Sequence, residues 1–552
     1  MLHMYDDLAA SQPMTGKQSC PTGPDDDSVR VLRWWDYACF ALLTALTWVM
    51  LGWFSTGWVS QADWRMHPVF LGSMTLFLVY TAACQQFRWF LLLLMRRPKP
   101  KPPRAGWRVG VATTIVPEGE PLEMLEETLR NLVAMDYPHD TWVLDEGDDI
   151  RVKDLCMRLG ARHFSRKPLP QYRTDQGAFR ARSKHGNYNA WLAEHGWAQY
   201  DLIVNVDPDH VPVATFLHEV LGYFDNPQIG YVQAAQAYYN QEASFIARGA
   251  AEETYAYYSV TQMASYAMGF PIVTGCHTAH RAAALKQVGG FAPHDADDLL
   301  ITFRYRVAGW QGVYVPKILA RGLTPVDWTS YLAQQRRWAR SVLDIKFRLY
   351  PQLAGQLPRR ERILGFLHGL YYLQGLNTGI GMGLLAYVHV SGAVPQFLTD
   401  GTLWRLLGLF AVFQLVDCYR QRFFLGGRTE WGLHWRVGLL QLAKWPYLGL
   451  ALWDVMRNRQ PAYEMTPKVR RPTKPRLVLQ AHLPIVSLLG LAWLVGVVAG
   501  WSLLGIVHLW TAWLLLASLA LMATEWWPFP VPYDRQLWEP QARGNLRERT
   551  KF

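Results

Sequence analysis

The sequence predicts an α/β domain with a mostly parallel sheet, inserted between groups of α-helical transmembrane segments. Two observations lead there. Uncharged apolar runs long enough to span a bilayer lie near both ends of the 552 residues. Between them, short β-rich runs alternate with amphipathic helical ones. The composition agrees: half the residues are hydrophobic, only 18% are charged and 26 are Trp, which is poor in charge for a soluble enzyme and rich in interfacial aromatics. The net charge of +11 suits nucleic acid, anionic lipid or a phosphorylated substrate. Because Lys and Arg cluster beside apolar runs, the lipid bilayer is the expected partner and nucleic acid is not.

Residues 1–35 are polar and acidic and lack the basic stretch and short apolar core of a signal peptide, so a disordered tail is expected. Residues 36–95 should form two spans. Tyr37–Val59 is uncharged; a second stretch runs from Val69 to about Gln86, where Arg88 interrupts it before Trp89–Met95. The basic, proline-rich Arg96–Arg104 marks the cytoplasmic side, so residues 106–349 should be a cytoplasmic domain. Strands are expected at Arg108–Val116, Thr141–Leu144, Leu202–Val206 and Gly312–Val315, with a helix at Leu122–Ala134. In residues 350–476, Leu364–Val390 and Leu403–Val416 read as spans. His434–Met456 is assigned to the interface. Were it to cross, Arg457–Arg476, with seven Lys or Arg and one Glu, would lie outside. Residues 477–525 fit two spans joined near Trp501, and 526–552 form a basic cytoplasmic tail. Six spans result. None of the six Cys forms a C-x-x-C pair, so neither a zinc site nor a disulfide framework follows.

Acidic motifs fall at the carboxyl ends of expected strands, where ligands bind in such sheets. VNVDPDH places Asp207 and Asp209 together at a strand end, where they suit a hard cation bridging to phosphates, although Asp-Pro-Asp is also ordinary turn chemistry. TWVLDEGDD places Asp145 and Glu146 at another strand end. In SKHGNYNA, Lys184 can offset phosphate charge, and Asn187 or Asn189 can fix a nucleotide. Asp297 and Asp298 open a helix, where carboxylates are common, and one of them can act as a general base. QQRRW sets Arg337, suited to a diphosphate, beside the flat face of Trp338.

Taken in order, LDEG, SKHGNYN, DPDH, DD and QQRRW resemble the processive family 2 glycosyltransferases, particularly bacterial cellulose synthase catalytic subunits, over about residues 106–468. AYEMTPK resembles their gating-loop motif, with Tyr463, Thr466 and Lys468 at its defining places. The resemblance implies a GT-A-like fold. It also implies an inverting transfer of sugar from a nucleotide sugar, expected to be a UDP-sugar, to a growing polysaccharide that the chain then exports. Mg²⁺ or Mn²⁺ is the implied cofactor, and a bacterial plasma membrane the implied location. By the same resemblance Asp209 holds the metal and Asp298 is the base. Asp145, Lys184, Asn187, Asp207, Gln334, Arg337, Thr466 and Lys468 bind the nucleotide sugar, while Gly275, His277 and Trp338 face the acceptor. Departures are mild: D-E-G for D-D-G, A-D-D for T-E-D, Tyr188 for leucine and Tyr463 for phenylalanine. The stretch after the last span is too short for the PilZ domain of many cellulose synthases, so cyclic di-GMP control is not expected. Two alternatives stand beside this reading: transfer of a single sugar to a lipid acceptor, and a non-catalytic nucleotide-sugar-binding subunit.

Overall fold

A computed structural model describes residues 27–61, 68–393, 400–459, 468, 476–501, 505–527 and 533. Tyr463 and Thr466 therefore lie outside the described residues. The centre of the molecule is an eight-stranded sheet made of β1 (Val109–Ile115), β2 (Asp140–Asp145), β3 (Arg162–Phe164), β4 (Leu202–Asn205), β5 (Val211–Pro212), β6 (Ile229–Tyr238), β7 (Thr278–Arg281) and β8 (Gln311–Gly322). Their spatial order is β3-β2-β1-β4-β7-β6-β8-β5. The β3–β2, β2–β1, β1–β4 and β6–β8 pairings are parallel, and β7 runs antiparallel to both its neighbours.

This register positions the site. Ile115 sits opposite Asp145 and Ala112 opposite Asn205, so the loops after β1, β2 and β4 open on one edge. Asn205 also faces Thr278 across the antiparallel β4–β7 pair, which brings the segment entering β7 to the same edge. The expected strands are present, and the expected Gly312–Val315 extends to Gly322. The ten-residue β6 was not expected. Its sequence IGYVQAAQAY is buried nearly throughout, so it shows none of the polar–apolar alternation that marks a half-exposed strand. Wholly buried Trp191, Tyr231 and Tyr305 pack on one face of the sheet, Phe216 and Val232 on the other. Each such aromatic contributes about 2–3 kcal/mol by leaving water.

Helices α1 (Trp34–Gln61) and α2 (Pro68–Leu94) precede the sheet. Helix α2 does not break at Arg88, contrary to expectation: that side chain faces a cavity, which removes the need to leave the helix. Trp89 stacks on Phe40 at 4.7 Å and donates to Thr44 Oγ1 at 2.7 Å, joining α1 to α2. Part of the expected tail is ordered, since Ser28–Arg30 pairs antiparallel with Arg96–Pro98.

Within the domain lie α3 (Leu122–Val133), α4 (Ile150–Leu159), α5 (Lys184–Trp191), α6 (Phe245–Ala256), α7 (Asp297–Val307) and α8 (Trp328–Asp344). After it come α9 (Gln374–Ser391), α10 (Asp400–Arg420), α11 (Trp435–Met456), α12 (Leu477–Val498) and α13 (Gly505–Ala523). The expected continuous span Leu364–Val390 is broken. A helix ends at Leu367, Gly369 adopts φ +84°, and Lys346 Nζ donates to the Gly365 and His368 carbonyls at 2.8 and 2.9 Å. Those bonds satisfy the freed carbonyls and fix the stop. Among the described residues four helices are long and apolar enough to cross a membrane: Trp34–Ser60, Pro68–Leu94, Leu477–Val498 and Val507–Trp526. Helix α11 packs on α6 and α8 of the sheet domain and on α9 and α12.

Candidate active site

Turn geometry aims the strand-end residues. After β1, Glu120 folds back to accept the Val116 N–H at 2.9 Å, and burial pushes its carboxyl up to about 8. After β2, Asp145 is wholly buried. Its two oxygens accept the N–H groups of Gly147 at 2.8 Å and Asp149 at 2.6 Å, and His163 Nε2 lies 3.2 Å away. Asp145 thus braces the loop and does not itself line the cavity. Glu146 and Gly147 line the cavity in its place, Glu146 being held by Arg166 at 2.9 and 3.0 Å.

After β4, the Thr128 hydroxyl anchors the turn by donating to the Pro208 carbonyl at 2.8 Å. Asp207 pairs with Lys184, which also donates to the Gly275 carbonyl at 2.7 Å. Burial alone would lower the Lys184 ammonium; the Asp207 charge outweighs it and holds the group well above its ordinary range. Asp209 pairs with Lys468, and His210 Nδ1 lies 3.3 Å from its other oxygen. Burial opposes ionisation of Asp209, but Lys468 and His210 prevail and hold its carboxyl well below the usual range. Donor atoms of Asp207, Asp209 and His210 lie within 4.8 Å of one another. Two carboxylates and an imidazole fit Mn²⁺ or Mg²⁺.

Lys184 opens α5, whose first turn is capped by the Ser183 hydroxyl accepting the Gly186 N–H at 3.1 Å. Asn187 donates to the Leu144 carbonyl at 3.1 Å, while its Oδ1 has no hydrogen-bond partner and its side chain lines the cavity. Asn189 is fully engaged with Ala178 and Phe291, which leaves Asn187 as the amide available to a ligand. The buried Thr274 hydroxyl also lacks a partner and lines the cavity.

Across the cavity Asp297 and Asp298 begin α7. Gly275 takes φ +72°, and a Cβ built there would lie 3.4 Å from the Asp298 carboxylate, so glycine allows the acid to approach. Burial, followed by the Asp298 charge, pushes the Asp297 carboxyl to about 7; burial also raises Asp298. On α8, capped by Asp327 accepting the Ser330 N–H at 3.0 Å, the residues Gln334, Arg337, Trp338 and Ser341 share the cavity face at helical spacing. Trp338 is 36% exposed, enough to offer an open ring face. Arg336 points elsewhere, to Asp454 at 2.6 Å on α11, while Gln335 accepts from Lys444 of α11 at 2.9 Å, both at the cavity wall.

The cavity these residues line measures about 1960 Å³ and continues past Tyr371 to Gln374, Asn377, Gln414 and Gln441 of the later helices. Of the expected site residues, Lys184, Asn187, Asp207, Asp209, Gly275, Asp298, Gln334, Arg337, Trp338 and Lys468 meet here. His277 does not. It is wholly buried, has a φ of +57° and does not line the cavity. Sequence reasoning missed Glu120, Thr274 and His210. For His210 the signal was its position one residue after Asp209.

Residues 111–341 match the family model described as glycosyltransferase like family 2. Cellulose synthase 1 of Komagataeibacter xylinus is 26% identical over 343 residues, which is 56% of this chain and 21% of that one. A cellulose synthase 1 catalytic subunit (UDP-forming) of the same organism is 25% identical over 280 residues, 49% of this chain and 36% of its own. The cellulose synthase catalytic subunit (UDP-forming) of Xanthomonas axonopodis pv. citri is 23% identical over 292 residues, covering 51% and 38%. The chain thus spans between 21% and 38% of the length of these curated relatives. Among solved structures, a mannosyltransferase from Pyrobaculum calidifontis in complex with GDP-Man and Mn²⁺ aligns at TM-score 0.46 and 18% identity, covering 76% of this chain and 99% of its own. Glucosyl-3-phosphoglycerate synthase from Mycobacterium tuberculosis, with Mn²⁺, UDP-Glc and phosphoglyceric acid, aligns at 0.29 and 17%, covering 40% and 74%.

Proposed function

From the place of this chain among cellulose-synthase-like family 2 glycosyltransferases, we propose that it is a multi-pass membrane enzyme that polymerises sugar from a UDP-sugar by inverting transfer and exports the product. The observation that carries this is one cavity joining the Lys184–Asp207 and Lys468–Asp209 pairs, the Asp298 carboxylate, the Gln334–Trp338 face and the polar residues between the later helices. Asp207, Asp209 and His210 would hold Mn²⁺ or Mg²⁺, which supplies positive charge to the donor diphosphate.

The chain's own residues do the rest. Lys184, Lys468 and Arg337 neutralise the charge that builds on the departing nucleoside diphosphate. Asn187 Oδ1 and the Thr274 hydroxyl present unmet polar atoms to the donor. Asp298 takes the proton from the acceptor hydroxyl, and its raised affinity for protons suits that task near neutral pH. Trp338 supports the acceptor ring, and Gly275 keeps the space between acceptor and base open. In the finer reading, His434–Met456 lies at the cytoplasmic interface, six helices cross a bacterial plasma membrane and the sheet domain is cytoplasmic. Lys468, which pairs with Asp209, then meets the nucleotide from the cytoplasmic side. The test is release of UDP and growth of polymer by the purified chain supplied with UDP-sugars and Mn²⁺. Loss of both in Asp209→Ala supports the reading; donor binding without UDP release overturns it.

A further inference from the structure

The edge of the sheet that carries Asp207 and Asp209 holds a second cluster of different chemistry. Antiparallel pairing of β4 with β7 lays residues 206–210 beside 275–277. One donor atom each from His210, Cys276 and His277 falls within 4.8 Å of the others, and all three residues are buried. The His210 and His277 rings stand nearly perpendicular, 83° apart, with centroids at 4.8 Å. The Cys276 sulfur accepts the Asp207 N–H at 3.2 Å, which fixes its place at the strand end. His277 Nδ1 lies 3.3 Å from the Ala235 carbonyl, whereas its Nε2, on a wholly buried side chain, has no hydrogen-bond partner. A buried imidazole nitrogen without a partner is rare and asks for a ligand.

We propose that His210, Cys276 and His277 form a binding site for a borderline-soft divalent cation, with Zn²⁺ as the ion it suits best. Two imidazoles and a thiolate, with no carboxylate oxygen, select Zn²⁺ or Co²⁺ over Mg²⁺. Bond lengths of about 2.0–2.3 Å put tetrahedral donors roughly 3.3–3.8 Å apart, so the three atoms need close by no more than about 1.5 Å on binding. Cys276 gives its thiol proton to solvent as the sulfur binds. His210 and Cys276 also line the large cavity, from which water reaches the fourth position. His210 is shared: its Nδ1 lies 3.3 Å from the Asp209 carboxylate, so the nitrogen–sulfur site and the carboxylate site compete for one imidazole.

The experiment uses the full chain in detergent, stripped with a chelator and titrated with Co²⁺. One equivalent should produce a thiolate-to-cobalt charge-transfer band in the near ultraviolet, and Zn²⁺ should erase it. Cys276→Ser should abolish the band, and His277→Gln should weaken Zn²⁺ binding by at least about tenfold. Asp207→Asn and Asp209→Asn should retain the band. Thermal unfolding monitors each variant, and the near-isosteric Cys276→Ser keeps the test decisive if His277→Gln fails to fold. Absence of the band at saturating Co²⁺, its persistence in Cys276→Ser, or its loss in Asp209→Asn would each overturn the assignment.

Discussion

Replacing Asp298 by Asn probes the chemistry with little change of shape. The carboxylate lies beside Gly275, where a Cβ would come within 3.4 Å of it, and one of its oxygens accepts the Leu299 N–H at 2.7 Å. The Asn side-chain oxygen can keep that bond while losing the capacity to take a proton. Removal of a general base costs about 10²–10⁴ in rate, which is roughly 3–5 kcal/mol of transition-state stabilisation. The donor phosphates are held elsewhere, by Lys184, Lys468 and Arg337 in the proposed reading, so the loss belongs in kcat and not in donor KM. Initial rates of UDP release across donor concentrations measure both. An Asn variant turning over within a factor of about ten of the parent would refute the assignment of the base.

Four further outcomes follow from the same geometry. Burial raises the Asp298 carboxyl, and its neighbour Asp297 is pushed to about 7, so the base ionises above the ordinary carboxylate range. The free-enzyme rate should then climb with pH through a midpoint above the ordinary carboxylate value of about 4; a profile already at its plateau there would contradict it. Glu120, pushed up to about 8 by burial, is more easily protonated folded than unfolded. Its ionisation therefore removes stability as pH rises from the ordinary carboxylate range to about 8, and Glu120→Gln should raise the melting temperature relative to the parent more at pH 8 than at pH 5. Lys444, 1% exposed, bonds Glu253 at 2.9 and 3.0 Å and Gln335 at 2.9 Å. Lys444→Met leaves Glu253 without its cation and should destabilise by about 3–5 kcal/mol in detergent unfolding, with partial recovery in the double variant carrying Glu253→Gln. Trp338→Ala should shorten the polymer, resolved by gel filtration, while Trp338→Phe keeps a ring face and most of the length.

Much of this architecture was legible because it is local. Arg108–Val116, Thr141–Leu144 and Leu202–Val206 are apolar runs ending in carboxylates, and the strands form there within a residue or so at each end. The QQRRW motif was likewise legible, and the helix that carries it brings Gln334, Arg337 and Trp338 to one face. What escaped depends on long-range packing. Strand β6 is covered on both faces, so it carries no alternation to read. The stop at Gly369 needs Lys346, more than twenty residues upstream, to cap the carbonyls. Asp145 and Asp209 look alike as strand-end acids. Which one faces the cavity is decided by backbone N–H groups that capture Asp145 and by a lysine from residue 468 that meets Asp209. His277 is polar and two residues after Gly275, yet it takes a positive φ and lies in the interior, a turn that composition does not announce.

The most direct measurement supplies the purified full chain with a panel of UDP-sugars and Mn²⁺, following UDP release and product length together. The account predicts UDP release with one donor, accompanied by a ladder of lengthening polymer, both abolished in Asp209→Ala and Asp298→Asn. Stoichiometric UDP release with one discrete product, or donor binding with no release at all, would contradict it.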